Sequence, residues 1–374
     1  MPELFESTKI KGLEIKNRFI RSATWTGMAS ASGYCTEKLT QFITRLAQGG
    51  VGLIITGHAF VRRDGQAAPW QLAIDSDDLI DDLRKMTDAV HHAGGKVFMQ
   101  LSHAGSRADT ELTGIKAIGP SIQRNAKGIE CRAMSDRDIE EIAASFGQAA
   151  VRAKLAGFDG VQIHAGHGYL LNQFLSPRHN DRSDRYGGKI ENRARIVLDV
   201  YHKIRNDTGD AFPVIIKINS QDHAIGEFVV NDMLDLATLL QTAGIDAIEL
   251  SGDRHHVNRS ISTSEGMAST EKEVYYARQA KLYKEKMITP LILVGGIRSF
   301  HIAKQIVNDG VADYVSLCRP LIREPALINR WKSGNVQKSA CISDNLCIKP
   351  ALQGRGLHCV AEKHKEINLV SKRH

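Results

Sequence analysis

Short apolar runs recur along the whole chain, and the spacing leaves room for a helix between one run and the next. Each run is rich in valine and isoleucine and is apolar throughout rather than alternating with polar residues. Such continuous segments are typical of strands that are buried on both faces of a parallel sheet. The predicted strands are Phe19–Ala23, Gly52–Gly57, Lys96–Leu101, Gly160–His164, Val214–Asn219, Ala247–Ser251, Leu291–Gly295 and Tyr314–Cys318.

Amphipathic stretches separate these runs and predict helices. A glycine follows several of them, as at Gly157 and Gly244, and glycine commonly ends a helix. The predicted helices are Asp77–Ala93, Asp136–Ala156, Asn192–Arg205, Val230–Ala243, Glu273–Lys286 and Phe300–Asn308. Eight strand–helix units in series favour an α/β fold of the (β/α)8 TIM barrel type, with a doubly wound sheet as the alternative.

The barrel is expected to occupy residues 1–335. Two long connections, Ser102–Arg132 and His167–Glu191, follow the third and fourth strands and would form a lid and substrate walls on the catalytic face. Residues 336–374 show no strand–helix pattern and are expected to be a short C-terminal extension outside the barrel.

Polar residues and glycines collect at the carboxyl ends of the predicted strands, where barrels hold ligands. Gln100 offers both a donor and an acceptor, and Lys217 lies in an apolar strand, which favours a functional role. Gly295, Gly296 and Arg319 could form a phosphate site, because glycine lets backbone N–H groups approach and arginine adds a charged fork. The remaining candidates at the strand ends are Ala23, Thr24, Trp25, Gly57, Ser251 and Cys318.

The segment from His164 to Tyr169 follows the fourth strand and carries two histidines and a tyrosine. Imidazoles three residues apart can face one carbonyl or anionic oxygen, and a nearby phenol can deliver a proton. This combination predicts a reaction centre. His103 is expected either to pack the long loop or to contact a ligand. The loop that follows the fourth strand is expected to be braced by internal hydrogen bonds of its polar residues Asn180, Asp181, Arg182 and Arg185. Tyr186 is a candidate residue for closing the pocket.

The sequence His-Ala-Gly-His-Gly-Tyr-Leu, followed by Phe-Leu-Ser-Pro and Tyr-Gly-Gly, resembles the old yellow enzyme family of FMN-dependent ene-reductases. The resemblance covers about residues 3–335, in a short single-barrel form related to the barrel domain of dienoyl-CoA reductase. It implies an FMN cofactor, NADH or NADPH as reductant, and a small substrate with an activated alkene. His164 and His167 would bind the substrate carbonyl, with His164 also near the flavin, and Tyr169 would be the proton donor.

The resemblance also assigns the strand-end residues to the cofactor. It places Ala23, Gly57, Gln100 and Lys217 at the isoalloxazine, and Gly295, Gly296 and Arg319 at the phosphate. This chain departs from the family at Trp25, where relatives have threonine or cysteine, and at Cys318, where they have glycine.

The extension contains Cys341, Cys347 and Cys359, a pattern similar to the iron–sulfur motif of larger relatives, but Asp344 stands in place of one cysteine. A carboxylate is a poor ligand for such a cluster. We therefore expect free thiols and no metal.

The charge balance and the absence of long apolar runs limit the classes of partner. The formal net charge is +7, from 49 basic and 42 acidic residues that are interspersed, so nucleic acid is not expected as a partner. The longest basic cluster, around Lys363 and Lys372, lies in the tail. We expect no membrane span, no secretory signal and a cytoplasmic protein with reduced cysteines; a homo-oligomer is compatible with the chain.

Two alternative functions stay open. One is an FMN redox protein that uses another acceptor or an amine or alcohol donor, and the other is a Schiff-base lyase that uses Lys217.

Overall fold

Eight parallel strands close into a barrel in the computed structural model, which describes residues 3–125, 128–222, 227–252 and 273–362. The doubly wound alternative is therefore wrong. The basic cluster of the tail lies outside the described residues. The barrel strands, numbered β1 to β8, are Phe19–Arg21, Leu53–Phe60, Lys96–Ser102, Gly160–Ala165, Val214–Asn219, Ala247–Ser251, Leu291–Val294 and Tyr314–Leu317.

Helices surround the barrel, and their ends carry the expected signals. Thr36 caps the first helix by accepting a hydrogen bond from the Leu39 N–H, and Ser135 and Asp138 form a capping box on the third. The outer helices, numbered α1 to α8, are Glu37–Gln48, Ile80–His92, Asp136–Leu155, Arg195–Thr208, Val230–Ala243, Ala277–Lys284, Phe300–Asn308 and Leu327–Lys332. Short additional helices are Thr110–Thr113, Leu170–Leu175, Ile190–Arg193, Arg319–Arg323 and Ile348–Leu352.

The core has two parts that follow from the alternation of side chains along each strand. Outward-facing apolar residues of the strands and one face of each helix form the larger part. The barrel interior forms the smaller part, which includes Ile20, Phe98, Ile215 and Ala247. A hairpin of Thr8–Ile10 and Leu13–Ile15 packs against this interior part through Ile10 and Ile15.

The long connection after β3 contains a three-stranded sheet that the sequence did not predict, formed by Ala117–Gly119, Gln123–Asn125 and Gly128–Ala133. Among the described residues, no helix is long and apolar enough to cross a membrane.

The C-terminal extension is in contact with the barrel. The Leu357 N–H donates to the Thr26 carbonyl (2.8 Å), and Lys38 Nζ donates to the Arg355 carbonyl (2.7 Å). Ala351 and Leu357 are buried in the larger core. The division at residue 335 itself stays a prediction.

Candidate active site

Two adjoining cavities lie at the carboxyl end of the barrel. The larger has a volume of about 430 Å³ and the smaller about 130 Å³, and Ala23, His167, Lys217 and Cys318 line both. Together they form one cleft. Every predicted site residue except Gly57 lines it: Ala23, Thr24, Trp25, Gln100, His164, His167, Tyr169, Lys217, Ser251, Gly295, Gly296, Cys318 and Arg319.

The structure brings the two predicted histidines and the tyrosine together on one wall of the larger cavity. The ring centroid of His164 lies 5.2 Å from that of His167 and 5.3 Å from that of Tyr169. His167 has a left-handed backbone (φ 60°), and its Nε2 lies 2.9 Å from the Ser251 hydroxyl. The turn is held by Asn219, whose Oδ1 accepts from the His167 N–H (3.0 Å).

A third histidine, His58, completes this wall and was missed by the sequence analysis. Its ring centroid lies 5.4 Å from that of Tyr169. Gln71 Oε1 accepts from the Ala67 N–H (2.7 Å), so Gln71 turns its NH₂ group to His58 Nδ1 (2.6 Å). His58 Nδ1 is therefore the acceptor, and the proton of the neutral ring is on Nε2.

Burial shapes the protonation of these rings. Desolvation lowers the pKa of His58 to about 4. It also lowers the pKa of His164 well below the usual value, and the neighbouring His167, His58 and Lys217 add to that effect. Burial raises the pKa of Tyr169, opposed by Arg107. At neutral pH, His58 and His164 are thus uncharged and Tyr169 keeps its proton.

The floor of the cavity carries a buried polar network. Lys217 Nζ donates to the Ser22 hydroxyl (2.8 Å) and lies 3.5 Å from Glu249 Oε2, while Gln100 Nε2 donates to Gln162 Oε1 (2.7 Å). Glu249 was also missed, although it is an ionisable residue in an apolar run, the same signal that selected Lys217.

The smaller cavity has the features of an anion site. Gly295 (φ 140°) and Gly296 (φ 74°) adopt backbones that favour glycine, and a Cβ on Gly296 would lie 2.4 Å from the Tyr275 ring. Arg319 Nη1 donates to Asn345 Oδ1 (2.7 Å) and to the Ser343 carbonyl (3.3 Å), so the extension helps to hold the guanidinium.

The surroundings of Gly57 and Trp25 were not predicted from the sequence. A Cβ on Gly57 would lie 2.8 Å from the Thr24 carbonyl oxygen, so the lack of a side chain at Gly57 leaves room for the loop after β1. A direct flavin contact of Gly57 stays a prediction. Trp25 Nε1 is buried and has no hydrogen-bond partner in the described part of the chain. Thr24 Oγ1 lies 3.0 Å from Cys318 Sγ.

A family model for the NADH:flavin oxidoreductase / NADH oxidase family matches residues 3–338. The chain belongs to this family. The predicted resemblance to old yellow enzymes is confirmed. The family uses FMN with NADH or NADPH, as predicted.

Among its relatives, the chain is 34% identical to an NADH oxidase of Thermoanaerobacter brockii over 93% of this chain and 54% of that protein, so it spans about half of that relative's length. It is 31% identical to an NADPH dehydrogenase of Listeria innocua over 87% of this chain and 93% of that protein. An old yellow enzyme homologue from Zymomonas mobilis has a similar structure, with a TM-score of 0.77 and 26% identity over 90% of this chain and 94% of that chain.

Two of the four residues predicted to brace the long loop, Asn180 and Arg182, do so with their side chains. Asn180 Nδ2 donates to the Phe174 (2.7 Å) and Tyr186 (2.8 Å) carbonyls, and Arg182 Nη1 donates to the Met134 carbonyl (2.6 Å). The Tyr186 hydroxyl donates to Asp199 (3.2 Å), and Tyr186 does not line either cavity.

His103 is structural rather than a cavity residue. Its Nδ1 accepts from the Gly105 N–H (3.0 Å), and its Nε2 lies 3.1 Å from Asp64 Oδ1. It therefore holds the turn that carries Arg107 at the cavity.

The four residues similar to the iron–sulfur motif, Cys341, Asp344, Cys347 and Cys359, line one small cavity of about 20 Å³. Within the described ranges, no group of three or more metal-ligating side chains is arranged to hold an ion. Burial raises the pKa of the Cys347 thiol to about 11, which keeps it protonated. Arg319 lines both this small cavity and the cleft, so the thiols lie next to the cleft.

Proposed function

We propose that this chain is an FMN-dependent oxidoreductase that uses NADH or NADPH to reduce the activated C=C bond of a small molecule. The observation that carries the proposal is the wall of the larger cavity, where the ring centroid of His164 lies 5.2 Å from that of His167 and 5.3 Å from that of Tyr169. FMN binding alone does not require these three groups together.

The residues present fit FMN. Gln100 and Lys217 line the larger cavity and would hold the pyrimidine edge of the ring, while Arg319 and the backbone at Gly295 and Gly296 would hold the phosphate. His164 Nδ1 is buried with no hydrogen-bond partner among the described residues, which a bound ligand would explain. When bound, FMN supplies the hydride chemistry that no side chain can perform.

The roles of the side chains follow from their protonation. His164 is neutral at pH 7, so it would bind the substrate carbonyl oxygen by a single N–H donor rather than as a cation. Together with His167 it would stabilise the negative charge that develops on that oxygen. Tyr169 keeps its proton in the buried site, and would deliver it to the α-carbon once the carbanion makes the transfer favourable.

The Schiff-base alternative has weaker support. Lys217 Nζ already donates to the Ser22 hydroxyl (2.8 Å) and lies 3.5 Å from Glu249 Oε2, so it is engaged in the buried network rather than free to attack a substrate. The six cysteines are free thiols, which supports a reducing, cytoplasmic location.

The test is an anaerobic titration of the purified protein. We expect a flavin absorbance band that bleaches with NADH or NADPH and returns on addition of cyclohexenone. A flavin that bleaches but does not respond to the enone would direct the proposal to another acceptor. A protein that cannot be reconstituted with FMN would refute it.

A further inference from the structure

Glu249 is a fully buried carboxyl residue in the barrel interior, in register with Lys217 on the neighbouring strand, and it lines neither cavity. Its Oε1 accepts hydrogen bonds from the hydroxyls of Ser22 (2.8 Å) and Ser316 (2.9 Å), and its Oε2 accepts from Gln162 Nε2 (2.8 Å). Burying a carboxylate is costly unless it is paired and hydrogen-bonded. Three donors and the Lys217 ammonium at 3.5 Å meet that requirement here.

Both residues expected at the pyrimidine edge of the cofactor are connected to this one carboxylate. Lys217 reaches it directly and through Ser22, which accepts from Lys217 Nζ (2.8 Å). Gln100 reaches it through Gln162, which accepts from Gln100 Nε2 (2.7 Å). Gln100, Gln162, Lys217 and Glu249 come from four different strands, and Ser22 directly follows β1, so the network is fixed by the barrel itself.

The carboxylate also sets the direction of the amide hydrogen bonds, because an ionised carboxylate can only accept. Gln162 must turn its NH₂ group toward Glu249 and its oxygen toward Gln100. Gln100 must then turn its NH₂ group toward Gln162. This leaves Oε1 and one N–H of Gln100 for a molecule in the cavity.

We propose that Glu249 is a positioning residue that sets the charge and the hydrogen-bond polarity at the pyrimidine edge of the flavin site. The inference rests on the proposed FMN placement. A negative charge beside Lys217 cancels much of the positive potential that the lysine projects into the cavity. The site therefore stabilises the anionic, reduced form of FMN less than an unopposed lysine would.

The first test is Glu249→Gln in the FMN-loaded protein, read as the flavin midpoint potential by equilibrium with a redox dye. The change keeps the shape of the side chain and removes its charge. We expect reduced FMN to gain affinity over oxidised FMN by about tenfold or more, which corresponds to about 30 mV or more for a two-electron couple. A purely structural role for Glu249 would not move this ratio.

Gln162→Leu is the matched control, because it breaks the connection to Gln100 and leaves the charges in place. We expect it to weaken the binding of both redox forms and to keep their ratio within about twofold of wild type. If Glu249→Gln folds and binds FMN yet keeps the ratio within about twofold, the proposal is wrong. Failure of the wild-type protein to bind FMN would instead refute the proposed function.

The double variant Lys217→Met/Glu249→Gln gives an independent answer if the single variant does not fold, since replacing both members of a buried ion pair is better tolerated than removing one. If Glu249 cancels the lysine, the double variant keeps a ratio within about threefold of wild type. If Lys217 acts unopposed, the double variant favours oxidised FMN by about tenfold or more, and the proposal fails.

Discussion

Replacing His58 with glutamine should remove a specific part of the pH dependence of folding. The folded pKa of His58 is about 4, below the value of about 6.5 expected in the unfolded chain. As the pH falls below 6.5, the unfolded state takes up a proton that the folded state refuses. Stability is therefore lost between about pH 6.5 and 4, and the loss levels off below the folded pKa.

These two values give the magnitude. Between pH 7 and pH 5 the term amounts to about 2 kcal/mol of unfolding free energy, an upper figure because part of the ring faces the cavity. Glutamine suits the site, since its Oε1 can accept from Gln71 as His58 Nδ1 does. Between pH 7 and pH 5, the variant should therefore lose up to about 2 kcal/mol less unfolding free energy than wild type. His164 is present in both proteins, so its contribution cancels in the comparison.

The assay is urea unfolding of the apoprotein at pH 7 and pH 5, followed by tryptophan fluorescence. Tyr169→Phe is the control, because it changes the same cavity wall without removing a group that titrates in this range. Equal losses of stability in wild type and the His58 variant would refute the conclusion that burial keeps His58 neutral.

Three further outcomes are expected. Tyr169→Phe should slow the reoxidation of the flavin by cyclohexenone by about 10²–10⁴-fold and leave reduction by NADPH unchanged; equal slowing of both half-reactions in stopped-flow traces would remove Tyr169 as the proton donor. Arg319→Met should weaken FMN binding by about tenfold to a hundredfold in a fluorescence titration and leave riboflavin, which lacks the phosphate, unaffected; a matching loss for riboflavin would contradict phosphate recognition. Gln173→Leu should cost about 2–4 kcal/mol in urea unfolding, because buried Gln173 donates to the Ala104 (3.1 Å) and Gly168 (2.8 Å) carbonyls and accepts from the Ser106 N–H (3.0 Å); unchanged stability would show that these bonds do not tie the two loops together.

The barrel could be predicted from the sequence because parallel strands buried on both faces leave a strong local signal. Val214–Asn219 and Ala247–Ser251 have the predicted bounds, and the other strands differ by a few residues at their ends. The three-stranded sheet after β3 left no such signal. Its strands are short, and their pairing is set by neighbours distant in sequence.

Placement of the extension could not be predicted for the same reason. Nothing in the local sequence around Asn345 indicates that its side chain meets Arg319, or that Ile348 lines the larger cavity. Those contacts depend on how the chain returns across the barrel after α8, which is a tertiary outcome without a periodic pattern.

Glu249, by contrast, was within reach of the sequence. Interior side chains alternate along each strand, so the residue two places after an apolar interior residue also points inward. Ile215 precedes Lys217 in this way, and Ala247 precedes Glu249. A lysine and a glutamate at the same level of neighbouring strands are register partners, and the structure pairs them so. Strand parity could have predicted that both side chains point into the barrel, and the register then makes them a pair.

His58 lies beyond that rule because β2 does not keep its parity. The register with β3 shifts between Ile55 and His58, at a bulge next to Gly57. A bulge inserts one residue and turns the following side chains to the other face. Counting by two from Ile55 would place Gly57 inside the barrel and His58 outside, whereas His58 lines the cavity. The same glycine that admits the loop after β1 therefore lies at the irregularity that adds a third imidazole to the active-site wall, and only the three-dimensional pairing of β2 with β3 reveals it.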